Sequence, residues 1–337
     1  MTAFYAKSPD QMNVVFVVYP DIVLLDLVGP LQMFTHARRG ADKGPVYKTH
    51  VVSFKGGPNE TNTILQIDSD PLTNWFEAHQ DTAIHTLVIV GGDGALVAAL
   101  DQPFVHQIKR LAGRAGRICS VCSGAFVLAA AGLLDGRRAV THWEDCDNLA
   151  AQYPEVEVEV DPIYIEDGLV CTSAGITAGI DMALAIIEED LGAPAAIQMA
   201  RSLVTPMVRS GGQSQFSAEL DRKARDAEGR FRELHEWLGS NLQAPISVDV
   251  MAARCGMSSR NFSRQYTATM GTPPAKAVEA IRVDAARNLL GASETGIKSI
   301  AAACGFQDGG RMRRAFLRQI KTTPSQYRAQ FNHSETG

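Results

Sequence analysis

Two sets of residues in this 337-residue chain have types and spacings that could do chemistry. The first centres on a thiol. Arg117–Val121 reads as a strand, and Cys122-Ser123-Gly124-Ala125 opens a helix directly after it. That order places the thiol at a helix N-terminus, where the dipole and free N–H groups lower a cysteine pKa. Asp26, in Asp26-Leu27-Val28-Gly29-Pro30, supplies an acid and His142, beside Trp143, an imidazole. A thiol, an acid and an imidazole are the parts of an activated nucleophile. Each also has a structural reading: Cys122 as a small buried residue, Asp26 as a helix cap, His142 as a core histidine. The second set is arginine-rich: Arg260, Asn261, Ser263 and Arg264 in one segment, and Arg311, Arg313, Arg314 and Arg318 in another. Arginine forks reach guanine edges, asparagine reaches adenine, and surplus guanidinium groups meet phosphates.

The charge distribution separates the two sets. Residues 1–210 carry 14 Lys/Arg against 25 Asp/Glu, a net of −11, while residues 211–337 carry 18 against 12, a net of +6. An acidic front and a basic back imply that only the back meets a polyanion. The length favours two domains, and the composition excludes a disordered, collagenous or disulfide-dense chain. Cys119 and Cys122 form one CxxC without a second pair, so no zinc site is expected, nor any other metal or cofactor. The longest uncharged stretch, between Arg117 and Asp135, is too short to span a bilayer, and the start lacks a basic segment before its apolar run. These features point to the cytoplasm and to no membrane partner, with all six cysteines reduced.

The elements that position the first set alternate. Val14–Val18 is a β-branched run suited to a strand buried on both faces, and Asp26–Arg39 has helical spacing. Further strands are expected at 49–54, 86–90, 117–121 and 169–172, and helices at 103–115, 125–134 and 178–191. Such alternation implies a mostly parallel sheet covered on both faces, a flavodoxin-like αβα sandwich. Residues 201–230 are polar and suit a linker; from Phe231 onward the periodicity is helical only.

The second set sits in a duplication. Residues 246–274 and 297–324 align with one inserted residue, matching Ala252/Ala301, Cys255/Cys304, Gly256/Gly305, Arg264/Arg314, Tyr266/Phe316 and Pro274/Pro324. Each copy reads as a short helix, a Cys-Gly turn that favours a left-handed glycine, and an arginine-bearing second helix. Ser258 and Ser259 are N-cap candidates, and Phe262, Tyr266, Met312 and Phe316 face inward. Two helix-turn-helix units are therefore expected in an all-α domain over 231–331.

Residues 231–331 resemble the AraC/XylS-type DNA-binding domain. The resemblance rests on Arg282, Ala286, Leu289 and Leu290 in the connecting helix and on Ala303-Cys304-Gly305-Phe306, Arg313-Arg314-Ala315-Phe316, Pro324 and Tyr327-Arg328. It implies base-facing positions at Arg260, Ser263 and Arg264, and at Gly310, Arg311 and Arg314. Gly309-Gly310, Met312 and Lys321 depart from the family pattern; the glycines imply either poorer readout in that groove or readout by Arg311 alone, and the other two mainly affect packing.

Residues 10–200 resemble the PfpI/ThiJ-like, class I glutamine amidotransferase-like fold, in the version fused to AraC-type domains in GlxA-type regulators. The matching stretches are DLVGP (26–30), VGG (90–92), SVCSGAFVLAAAGLLDGRR (120–138), THW (141–143) and TSAGITAGIDMAL (172–184). The resemblance implies a dimerising sensor domain with a pocket lined by Cys122, Asp26, Gly92, Ser123, His142 and Ser173. Isocyanide hydratases of this superfamily pair the acid of a DL-x-GP motif with the elbow cysteine, which implies a contact between Asp26 and Cys122. Peptidase-like members carry His directly after the cysteine; Ser123 stands there, so no catalytic residue is assigned and no enzyme is expected. The whole chain reads as a homodimeric transcriptional regulator that binds promoter DNA under control of a small, nitrogen-containing effector, and that meets RNA polymerase if it activates. The alternative is a cysteine-dependent hydratase or amidase fused to a DNA-binding domain.

Overall fold

The structure is a computed structural model that describes residues 11–38, 44–80, 82–175, 177–204, 229–292, 295–320 and 322–331, together with Gln213 and Asp226. The chain divides into two compact units, Met1–Met207 and Val208–Gly337. The expected linker over 201–230 lies largely outside the described residues, as does Lys321.

In the first unit the elements run β1 (Met12–Val17), α1 (Leu24–His36), β2 (Tyr47–Ser53), β3 (Gly57–Glu60), β4 (Gln66–Pro71), α2 (Leu72–Ala78), β5 (Ile84–Ile89), α3 (Gly94–Leu100), α4 (Gln102–Ala112), β6 (Ala115–Val121), α5 (Gly124–Ala130), β7 (Arg138–Ala139), α6 (Cys146–Gln152), β8 (Glu157–Val158), β9 (Tyr164–Asp167), β10 (Val170–Ser173), α7 (Ala178–Leu191) and α8 (Ala193–Ser202). The main sheet has eight strands in the order β3-β4-β2-β1-β5-β6-β10-β9. Neighbours from β4 to β10 are parallel, and β3 and β9 are antiparallel edges. Central strands are largely buried because helices cover both faces; every residue of β5 is buried, His85 and Thr86 included. This is the flavodoxin-like layer order. Its connections reverse direction between β1 and β5, the kind of switch point at which open α/β sheets take ligands beyond the carboxyl ends of their strands.

In the second unit every described element is helical: α9 (Arg232–Ser240), α10 (Val248–Arg254), α11 (Ser259–Met270), α12 (Pro274–Ala292), α13 (Ile297–Ala303), α14 (Gly309–Ile320) and α15 (Pro324–Phe331). Two separate cores form. Phe231, Met251, Phe262, Tyr266 and Val278 belong to one, and Val283, Ala286, Ile300, Met312 and Phe316 to the other. The 19-residue α12 runs from the first core into the second. Among the described residues, no helix is long and apolar enough to cross a membrane.

Candidate effector pocket and nucleic-acid interface

The carboxyl ends of β1, β5 and β6 converge on Cys122. Its φ of 53° is left-handed, rare for a residue with a Cβ, and it turns the chain sharply from β6 into α5. The Cys122 N–H donates to the Ser173 carbonyl at 2.9 Å, prolonging the β6–β10 ladder, and the Thr141 hydroxyl donates to the Cys122 carbonyl at 2.9 Å. The elbow fits only because the neighbouring loop is glycine. A Cβ at Gly91 would lie 2.5 Å from Asp26 Oδ2, 2.6 Å from the Val121 carbonyl and 2.7 Å from Cys122 Cβ.

Asp26 comes from α1, whose cap position is Val23, so it lies inside the first turn and is not the cap that its position suggested. It is fully buried, and among the described residues neither carboxylate oxygen has a hydrogen-bond partner of acceptable geometry. Burial raises its pKa to about 7, against a lowering influence of the adjacent Cys122 thiol. The thiol itself is shifted up, chiefly by burial and next by the Asp26 charge; hydrogen bonds from Ser123 pull the other way without offsetting them. The expected lowering by the helix N-terminus is overturned: desolvation outweighs the few donors that a short α5 offers.

The remaining pocket candidates are tied down. The Ser123 hydroxyl donates to the Gly92 carbonyl at 2.9 Å and accepts from the Gly92 N–H at 2.8 Å, so two groups that could hold an oxyanion satisfy each other. Ser173 is buried and its hydroxyl donates to the Ser120 carbonyl at 3.2 Å, inside the sheet. His142 packs on Gly175, whose added Cβ would sit 3.0 Å from its ring, and its Nδ1 lies 3.6 Å from Glu144. The ionisable groups acting on Cys122 are Asp26 and Asp145 rather than His142. Three residues were missed from sequence. Gly91 sits in the VGG stretch but shows its role only in three dimensions. Tyr19, which donates to the Val90 carbonyl, is held protonated by burial and by the nearby Asp26 and Cys122. Thr141 is the third. Among the described residues no group of three His, Cys, Asp or Glu side chains could hold a metal ion.

The helix-turn-helix units repeat one local scheme. Ser247 caps α10 by accepting from the Val250 N–H, and Ser258 caps α11 by accepting from the Asn261 N–H. Ser259 instead donates to Asp249. Gly256 (φ 62°) and Gly305 (φ 74°) make the left-handed turns. On α11, Phe262 and Tyr266 are buried, Arg260 and Arg264 exposed, and Asn261 and Ser263 half-buried. The Asn261 side-chain oxygen accepts from Arg264 at 3.1 Å and from Gln265 at 3.2 Å.

On α14, Met312 and Phe316 point inward and all four expected arginines are exposed, but not on one face. Arg311, Arg314 and Arg318, at i, i+3 and i+7, line a groove whose other wall includes Ile246, Ser247 and Val250. Arg313 lies with Gly309 and Leu317 over Ser325 and Gln326 on another side. Arg318 is paired with Glu279 of α12 at 2.6 Å. Asp308 accepts from the Arg311 N–H at 2.7 Å, capping α14.

The profile of the DJ-1/PfpI family matches residues 12–189. This chain belongs to the DJ-1/PfpI family. A helix-turn-helix domain profile matches residues 251–330, so the DJ-1/PfpI domain here is joined to a helix-turn-helix region. The chain is 28% identical over 315 residues to the HTH-type transcriptional regulator CdhR of Pseudomonas aeruginosa, covering 93% of this chain and 90% of that protein. It is 28% identical over 327 residues to the HTH-type transcriptional regulator GlxA of Rhizobium meliloti, covering 96% and 98%. The isonitrile hydratase of Pseudomonas putida is 32% identical over 181 residues, covering 54% of this chain and 73% of that enzyme.

Proposed function

We propose that this chain is a sequence-specific DNA-binding transcriptional regulator whose DJ-1/PfpI domain takes a small effector beside Asp26 and Cys122. The observation that carries the reading is the duplicated helix-turn-helix, with exposed arginines on both second helices in the only basic part of the chain. Similarity to two transcriptional regulators along nearly the whole length supports it. Arg260, Ser263 and Arg264 on α11 and Arg311 and Arg314 on α14 would face bases, and Arg313 and Arg318 the backbone. The protein would act in the cytoplasm as a homodimer through its front domain, doubling the operator contacts, with RNA polymerase as a partner if it activates.

Beyond the adjacent Cys122 thiol, no donor among the described residues meets the buried carboxyl of Asp26, so an effector that brings an N–H group or a cationic nitrogen would satisfy it. Effector binding would change operator affinity as a coupling free energy between the domains. Genome-wide mapping of bound sites tests the reading. A shared sequence in promoters, lost from an Arg264→Ala, Arg314→Ala double variant, is expected; binding without sequence preference would overturn it.

A second reading, a cysteine-dependent hydratase, is favoured by the Asp26–Cys122 adjacency and the hydratase similarity. The raised thiol pKa and the Ser123–Gly92 lock argue for binding over turnover. Turnover of an isonitrile by the parent chain, abolished in Cys122→Ala, would favour this second reading.

A further inference from the structure

The two helix-turn-helix units have separate cores, so a shared apolar interior does not set the angle between their reading helices. A polar junction lies where the cores meet. Arg282 stands on α12 between Val278, which belongs to the first core, and Val283, which belongs to the second. Its Nη2 donates to the carbonyls of Leu242 at 3.0 Å and Ala244 at 3.3 Å. Those carbonyls lie in the turn that leads to Ser247, the cap of α10. The turn is fixed to the first unit independently. The Ala244 N–H donates to the Asn241 carbonyl, the Asn241 side chain donates to the Trp237 carbonyl at 2.9 Å, and Trp237 lies under the Arg254 guanidinium at 4.0 Å.

From the other side comes the left-handed turn of the second unit. A Cβ on Gly305 would lie 1.8 Å from the Leu242 carbonyl oxygen and 2.9 Å from Arg282 Nε. The Leu242 carbonyl is thus shared by the connecting helix, the approach to α10 and the turn that launches α14.

We propose that Arg282 is a positioning residue: by holding the Leu242 and Ala244 carbonyls against the Gly305 turn, it fixes the spacing and angle between α11 and α14. The inference rests on the chain being a DNA-binding regulator. A guanidinium suits the task because its rigid fork presents several donors on one plane, where lysine offers a single mobile point. Two reading helices must enter grooves set by the duplex, about 10 base pairs per turn, so a loose junction weakens simultaneous docking and blurs the preferred spacing.

The test uses the full-length chain and a DNA fragment that the parent enriches from a random-sequence library. Versions with one base pair added or removed between the two protected segments are compared with it. The parent is expected to lose roughly tenfold or more in affinity on the altered fragments. Arg282→Met is expected to bind the unaltered fragment roughly tenfold more weakly and to discriminate among the spacings only about two- to threefold. Arg282→Lys should fall between them, and it carries the test if the Met variant does not fold. A merely structural role would lower thermal stability and leave the spacing preference intact. An unchanged spacing preference in both variants overturns the positioning role alone. A parent that enriches no sequence overturns the regulator reading, and this inference with it.

Discussion

Asp26 and Cys122 are neighbours because the residue between them has no side chain: a Cβ on Gly91 would lie 2.5 Å from the Asp26 carboxylate and 2.7 Å from Cys122 Cβ. The Val121 carbonyl, 2.6 Å away, closes the third side, and backbone cannot step aside as a flexible side chain can. Gly91→Ala is therefore expected to destabilise the first unit by about 1–3 kcal/mol, the range for overpacking a close-packed interior. Denaturant unfolding of the variant measures this, and a midpoint equal to the parent's would refute the close packing.

The buried acid should give the fold a pH signature. Asp26 titrates near 7 in the native state, far above the usual carboxylate range of an unfolded chain. Between those two values the native state holds a proton that the unfolded state has released. Its contribution to stability is accordingly greatest below about pH 4 and is lost as the pH rises towards 7. The slope from this group cannot exceed about 1.4 kcal/mol per pH unit. Asp26→Asn, uncharged throughout, should flatten that part of the stability–pH curve relative to the parent. Identical slopes in the two proteins would mean that Asp26 does not carry the shift.

Cys122 influences the same titration. Its thiol favours the ionised form of Asp26, so Cys122→Ala should move the Asp26 transition to higher pH, read by carboxyl-carbon NMR. Under the sensor reading, effector-dependent DNA binding survives this change, because no bond to sulfur has to form. Loss of the effector response in a folded Cys122→Ala protein would instead support covalent chemistry at the thiol.

Much of this was legible in the sequence, for identifiable reasons. The buried runs at 14–18 and 86–90 are β-branched and bounded by turns, so the central strands could be read directly. The edges could not. β3 and β4, over GPNE and QIDSDP, are polar and contain proline, so pairing partners rather than propensity make them strands. β9 at Tyr164–Asp167 is set the same way, by antiparallel pairing with β10. The elbow was visible as a strand–Cys–helix pattern, but the direction of its pKa shift depends on burial and on Asp26, 96 positions earlier. In the duplicated units the inward aromatics and glycine turns follow from helical period. The pairing of Arg318 with Glu279 does not, since nothing local links positions 39 apart.

The two second helices should contribute base-specific terms. Arg264→Ala and Arg314→Ala are each expected to weaken operator binding by about 1–3 kcal/mol and to relax preference at one base. Arg264 must release Asn261 to reach a base, so Asn261→Ala should leave its specificity in place while altering affinity. Competition assays on single-base operator variants at fixed salt measure both effects; parent-like selectivity in the two arginine variants would refute the assignment.

Arg318 should behave differently, because Glu279 already engages its guanidinium at 2.6 Å. Both side chains are substantially solvated, and such pairs contribute only about 0–1 kcal/mol, so DNA phosphates can compete for the arginine. Arg318→Ala should weaken binding evenly across sequences and reduce the salt dependence by about one phosphate contact. Glu279→Gln removes the competing carboxylate. It should leave thermal stability nearly unchanged and strengthen binding, most at low salt, where the repulsion between Glu279 and the phosphates is least screened. Affinity measured against salt concentration for the three proteins decides the matter. If Arg318→Ala relaxed selectivity at one base, Arg318 would be a reader of sequence, and the Glu279 pair would mark its resting position.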